Sequence, residues 1–155
     1  MKTNDKRMNR KTKILIVEDE ISIRLTTTLS LGRSGYEVNA AGAAFEALEM
    51  AEEMDPDLIL MDIMLPGGMN GLDLCRKIKS APRTARAKVI MTTALGDRNT
   101  VMQAVQAGAA DYIVKPFEQD TLKEKISAVL AGRLMFVKAA PAIIESTQES
   151  NAQTP

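Results

Sequence analysis

Five short apolar runs punctuate the chain: KILIV at 13–17, YEVNA at 36–40, DLILM at 57–61, KVIMT at 88–92 and DYIVK at 111–115. Four of them are rich in Val, Ile or Leu, the pattern of parallel strands buried on both faces. The gaps between runs are long enough for crossover helices. Ser34-Gly35, Asp55-Pro56, Gly67-Gly68, Gly96-Asp97 and Gly108 fall between elements as turn signals. Such alternation predicts an open parallel sheet covered by helices on both faces. The last helix is predicted from about Gln119 to Ala131, with Gly132 as its stop.

One stretch resists this scheme. In ISIRLTTTLSL (21–31) apolar residues occupy every odd position except Thr27, a strand-like pattern reinforced by three consecutive threonines. A strand here would leave nothing to cross between the first two parallel strands, so topology requires a helix. On a helical wheel Ile21, Leu25 and Leu29 form a stripe roughly 80° wide, with Ile23 and Leu31 nearly opposite. Only one stripe can face the sheet.

Composition narrows the class. The chain has 155 residues, 45 % apolar and 26 % charged, enough for one domain with a full core. A single cysteine, Cys75, allows no internal disulfide and fits a reducing compartment. No apolar run approaches the roughly 20 residues of a membrane span. The start, MKTNDKRMNRKT, lacks the apolar core of a signal peptide, so a cytoplasmic location and no membrane partner are expected. The zero net charge hides a separation: residues 1–13 carry a net of +5, and residues 14–132 a net of −5. An acidic body argues against nucleic acid as the ligand. The expected organisation is a basic disordered leader over 1–12, one domain over 13–132, and a mostly disordered tail over 133–155 with no output domain.

In an open parallel sheet the ligand site lies beyond the carboxyl ends of the strands. There the sequence places Glu18, Asp19 and Glu20 after the first run, Asp62 after the third, Thr92 and Thr93 at the fourth, and Lys115 at the fifth. Two carboxylates about 4 Å apart repel by roughly 4 kcal/mol at an effective dielectric near 20, so such a cluster asks for a cation. Hard oxygen ligands without histidine select Mg²⁺ over zinc. A divalent ion with a lysine suits the oxygens of a phosphoryl group. Met61, Met64 and Met91 read as packing residues, and Cys75 as a half-buried helix residue without a redox role.

The segments ILIVEDE (14–20), LILMDIMLP (58–66), VIMTTA (89–94) and DYIVKPF (111–117), in this order, resemble the response-regulator receiver domains of two-component signalling. The resemblance runs over about 13–132. It implies a doubly wound, five-stranded parallel α/β sheet of flavodoxin-like order 2-1-3-4-5 with five helices. It makes Asp62 the phosphoacceptor, taking a phosphoryl group from a histidine kinase or phosphotransfer protein as an acyl phosphate. Asp19, Asp62 and the backbone carbonyl of Met64 would hold Mg²⁺, with Glu18 acting directly or through water. Lys115, the Thr93 hydroxyl and the Ala94 amide would meet the phosphoryl oxygens. Thr93 and Tyr112 would form the switch, and the Lys115–Pro116 bond would be cis. Met64 and Leu95 match the positions that govern dephosphorylation. Neither offers a charged or amide group to orient water, which implies slow decay.

The implied role is a stand-alone signalling module, not an enzyme. It would act on a downstream protein through the face formed by the fourth helix, fifth strand and fifth helix, or pass its phosphate on in a phosphorelay. Ala110 stands where transcriptional members often carry an acid for dimer salt bridges, so a monomer or weak dimer is expected. LPGGMNG (65–71) is one residue longer than the commonest LPGxxG loop. Two other readings remain open: a flavodoxin-like electron carrier, and a degenerate receiver that only binds partners. The chain has no Trp, two Tyr and three Phe to stack a flavin, and the acceptor set is intact, so neither is preferred.

Overall fold

Each of the five apolar runs becomes a strand. The computed structural model describes residues 10–133, in which β1 (Lys13–Val17), α1 (Ile21–Arg33), β2 (Glu37–Ala41), α2 (Ala44–Met54), β3 (Leu58–Asp62), α3 (Gly71–Ser80), β4 (Lys88–Thr93), α4 (Arg98–Ala107), β5 (Asp111–Val114) and α5 (Gln119–Leu130) follow one another. All strand pairs are parallel and the order is β2-β1-β3-β4-β5, the doubly wound arrangement expected. β2 and β3 begin one residue later than the apolar pattern suggests, so Asp62 closes β3 instead of following it. Of the leader and tail, residues 1–9 and 134–155 lie outside the described segment. Among the described residues no helix is long and apolar enough to cross a membrane.

Alternate residues of the central strands feed two cores, as the pleat requires. Ile14, Ile16, Leu58, Leu60 and Ile90 pack with Leu31 of α1 and Leu122, Ile126 and Val129 of α5. Leu15, Val17, Ile59, Met61, Val89 and Met91 pack with the buried sides of α2, α3 and α4. The central strands are buried on both faces, whereas edge strand β2 exposes Glu37 and Asn39. This burial explains why the central runs read as continuous hydrophobics.

Residues 21–33 are helical despite their strand-like alternation. Leu31 and Thr27 are buried and Ile23 is half-buried, whereas Ile21, Leu25 and Leu29 are 70 %, 58 % and 51 % exposed. Docking of one stripe on the sheet therefore overrides the weak helix propensity of the threonines. Thr28 bonds back to the Arg24 carbonyl at 2.7 Å, and buried Thr27 accepts from Gln119 of α5 at 3.4 Å. At the C-terminus, α5 ends at Leu130 and Gly132 has φ +80, so the glycine stop falls where the sequence puts it.

The LPGGMNG segment positions Asp62. Gly67 turns the chain with φ +91. Asn70 caps α3, accepting from the Asp73 amide at 2.9 Å, while the Asp73 carboxylate accepts from the Asn70 amide at 3.3 Å. The Gly71 amide donates to the Ile63 carbonyl at 2.9 Å. A Cβ on Gly71 would stand 2.0 Å from the Asp62 carbonyl oxygen and 2.9 Å from Ile63 Cα. The first turn of α3 thus lies directly against the backbone that presents Asp62. Gly71→Ala is expected to lower the unfolding free energy by about 1–3 kcal/mol, because backbone must move to admit the methyl group. Denaturant unfolding checks this, and an unchanged midpoint would contradict the close approach.

Candidate functional site

The carboxyl ends of β1, β3, β4 and β5 converge on one acidic cluster. Glu18 extends β1 by one bond, its amide donating to the Ala41 carbonyl at 3.0 Å, and Ile63 does the same for β3 against Thr92. Glu18 and Asp62 are only 3 % and 5 % exposed, whereas Asp19 is open to solvent. Ligand oxygens of Glu18, Asp19 and Asp62 lie within 4.8 Å of one another. Lys115 is placed by its amide, which donates to the Thr93 carbonyl at 2.7 Å. Its ammonium donates to Glu18 Oε1 at 2.5 Å and to Asp62 Oδ2 at 2.9 Å. The other Asp62 oxygen accepts from the Met64 amide at 3.0 Å.

One lysine does not neutralise this group completely. Burial, aided by neighbouring Asp62 and only partly opposed by Lys115, pushes the Glu18 carboxyl up to about 7. Burial acts against the Lys115 charge, yet its bonds to Asp62 and Glu18 outweigh that and hold its pKa above the ordinary value. Glu18 Oε2 is buried with no hydrogen-bond partner. An orphaned oxygen, a second buried carboxylate and an open Asp19 form a hard donor set with room for water, which fits a divalent cation of the Mg²⁺ type. The cluster can hold such an ion.

The remaining residues singled out from sequence fall around this centre but are not all engaged. Thr93 is buried, and its hydroxyl closes a local turn, accepting from the Leu95 amide at 3.0 Å and donating to the Leu95 carbonyl at 3.1 Å. It does not bond to Asp62. Tyr112 is half-buried against the core of the α2–α4 side, with the Lys125 ammonium 5.6 Å from its ring centroid. Lys125 also pairs with buried Asp111 at 3.1 Å, an ion pair that the strand pattern did not announce. Ala94 is exposed, and the Lys115–Pro116 bond is cis.

Two readings of single residues need correction. Met64 is not a packing residue: it is 74 % exposed, because it follows the strand and lies outside the pleat that buries Met61 and Met91; Leu95 is likewise 64 % exposed. Cys75 is fully buried, its thiol pushed up to about 11 by burial, because it lies on the inner side of α3 with Leu74 and Ile78.

Two cavities bear on the site. One of about 530 Å³ adjoins the cluster, lined by Ile23, Thr27, Ala94, Lys115, Phe117 and Gln119. A larger one, about 630 Å³, lies at the opposite end of the sheet among Arg10, Asp55, Asp57 and Arg86. Its charges already pair with one another: Asp57 takes Arg10 at 2.7 Å and Arg86 at 3.1 Å, and Asp55 takes Arg86 at 2.8 Å. Size alone therefore does not mark the functional end.

The sequence profile of the response regulator receiver domain matches residues 14–127. The chain belongs to this family. The receiver is 39 % identical over 117 residues to the transcriptional regulatory protein AfsQ1 of Streptomyces coelicolor, covering 76 % of this chain and 50 % of that one. It is 37 % identical over 118 residues to the phosphate regulon transcriptional regulatory protein PhoB of Rhizobium meliloti, covering 76 % and 52 %. The chain thus spans about half the length of these relatives. Among solved structures, chemotaxis response regulator CheY4 of Vibrio cholerae superposes with TM-score 0.74 at 29 % identity, covering 77 % of this chain and 99 % of that one. A CheY-like receiver domain protein from Methanospirillum hungatei gives TM-score 0.74 at 35 % identity, covering 80 % and 97 %. Receiver domains of this family are phosphoacceptor modules and not catalysts of an external reaction.

The metal-free receiver should carry a pH signature. The Glu18 carboxyl titrates near its ordinary 4.5 when unfolded and near 7 when folded. Between these values the folded state binds the extra proton, so stability falls as pH rises. The chain has no histidine to compete in this window. In EDTA, unfolding free energy is expected to decline from about pH 5 to about pH 8, and Asp62→Asn should flatten the slope. Stability that rises across that range would contradict the crowding.

Proposed function

We propose that the receiver accepts a phosphoryl group on Asp62 in a Mg²⁺-dependent reaction and signals by a change of shape. The observation that carries this reading is a buried Asp62 at the end of β3, 2.9 Å from the Lys115 ammonium and grouped with Glu18 and Asp19. An Asp62 oxygen attacks the phosphorus of a phosphohistidine. The P–N bond breaks, its electron pair returns to the imidazole, and an acyl phosphate forms. Asp19, Asp62 and the Met64 carbonyl would hold the metal, with Glu18 direct or through water, and the bound ion would supply positive charge to the phosphoryl oxygens. Lys115 exchanges its carboxylate bonds for a phosphoryl oxygen, and the Ala94 amide meets another.

Thr93 is the switch. Its hydroxyl now closes a turn onto Leu95, and reaching the phosphoryl group requires breaking that turn. Tyr112 responds to this movement, and the α4–β5–α5 face carries the change to a downstream protein or onward in a relay. The exposed Ile21, Leu25 and Leu29 stripe of α1 offers an apolar surface to the incoming kinase or phosphotransfer protein. Met64 and Leu95 place no water-orienting group at the rim of the site, which favours a long-lived phosphate. Membership of the receiver family sets aside the electron-carrier reading.

With Mg²⁺ and acetyl phosphate, the protein is expected to gain one acid-labile, hydroxylamine-sensitive phosphoryl group, and Asp62→Asn to lose it. Phosphorylation of that variant at wild-type stoichiometry would refute the assignment. With a histidine kinase as donor, Leu25→Glu with Leu29→Glu should slow transfer while leaving acetyl phosphate labelling intact. Equal slowing with both donors would remove the docking role.

A further inference from the structure

Arg24 leaves the side of α1 and returns to the loop that precedes its own helix. Its Nη1 donates to the Glu18 carbonyl at 2.8 Å and reaches the Asp19 carbonyl at 3.4 Å. These are the backbone oxygens of the two acidic residues that flank the metal site at the end of β1. The guanidinium also lies across Gly42 in the loop after β2: a Cβ there would stand 2.9 Å from Nη1 and 3.7 Å from Cζ. Gly42 does not have the positive φ that would itself demand glycine. Among the described residues, the only close neighbour a methyl group would meet is the far end of Arg24. The glycine therefore keeps open the channel through which the guanidinium reaches the loop.

From this geometry we propose that Arg24 is a positioning residue, which fixes the Glu18–Asp19 backbone so that both carboxylates are set for the cation before it arrives. The inference rests on the metal-binding reading of the site, and it adds Gly42 as the residue that gives Arg24 its place. Charge and positioning predict opposite signs. Arg24 is a cation near a cation site, so by charge alone its removal would tighten metal binding. By positioning, its removal frees the loop and weakens binding. Groups that orient metal ligands commonly contribute about 10- to 100-fold in affinity.

The test is Mg²⁺ affinity of the full chain by isothermal titration calorimetry, with the melting temperature in EDTA recorded for each variant. Arg24→Gln is expected to weaken Mg²⁺ binding by about tenfold. Gly42→Ala should weaken it comparably by displacing the guanidinium, with little change in metal-free melting. The two should not add: in the Arg24→Gln background, Gly42→Ala should have no further effect on affinity. A purely structural role for Arg24 would lower the melting temperature and leave affinity unchanged, which overturns the proposal. Tighter binding in Arg24→Gln, or additive losses in the double variant, also overturns it. If Arg24→Gln does not fold, Gly42→Ala alone decides. Absence of Mg²⁺ binding by the wild type would remove the metal reading itself, and is thereby distinct from failure of the positioning role.

Discussion

Two carboxylates nearly removed from water, Glu18 and Asp62, share one ammonium at the carboxyl edge of the sheet. Each bond to Lys115 offsets part of a mutual repulsion of about 4 kcal/mol at an effective dielectric near 20. The compensation is incomplete: Glu18 retains its proton to about 7, and one of its oxygens has no partner. The fold brings these groups together because parallel strands deliver all their ends to one edge. The site is consequently short of positive charge, a deficit that the lysine offsets in part and that a divalent cation would fill.

The surrounding structure keeps the groups from separating. Asp62 cannot retreat, because Gly71 at the start of α3 leaves no space behind its carbonyl. Lys115 is fixed through its amide to β4, next to Thr93. The Glu18–Asp19 backbone is tied to α1 by Arg24. The Thr93 hydroxyl, by contrast, bonds to Leu95 and not to this cluster. A buried, held Asp62 near a threonine bonded elsewhere is the arrangement from which the proposed two-state response can grow.

The parallel sheet covered on both faces and the acidic cluster were legible because both depend on short contiguous signals, apolar runs and charged residues immediately after them, whereas the strand order came only from the resemblance to receiver domains. The α1 segment was legible only through topology, since its threonines and alternation pointed to a strand. Arg24 and Gly42 escaped notice because their relation is spatial. They lie on different elements, and neither belongs to a motif. Met64 was misread because it lies two residues past the end of β3, beyond the strand burial that holds Met61 and Met91. Cys75, in contrast, could have been placed from its spacing with Leu74 and Ile78 on one side of a helix.

The central claim is that crowded acid at the strand ends awaits a divalent ion. Its most direct test is the melting temperature of the wild-type protein as free Mg²⁺ is raised from zero, in EDTA, to millimolar levels. A ligand that binds only the folded state raises stability with the logarithm of its concentration, by about 2.7 kcal/mol at a hundred times its dissociation constant. The account predicts such a rise, with its onset moved to higher concentration in Asp19→Asn. A melting temperature that is the same in EDTA and in millimolar Mg²⁺ would contradict it.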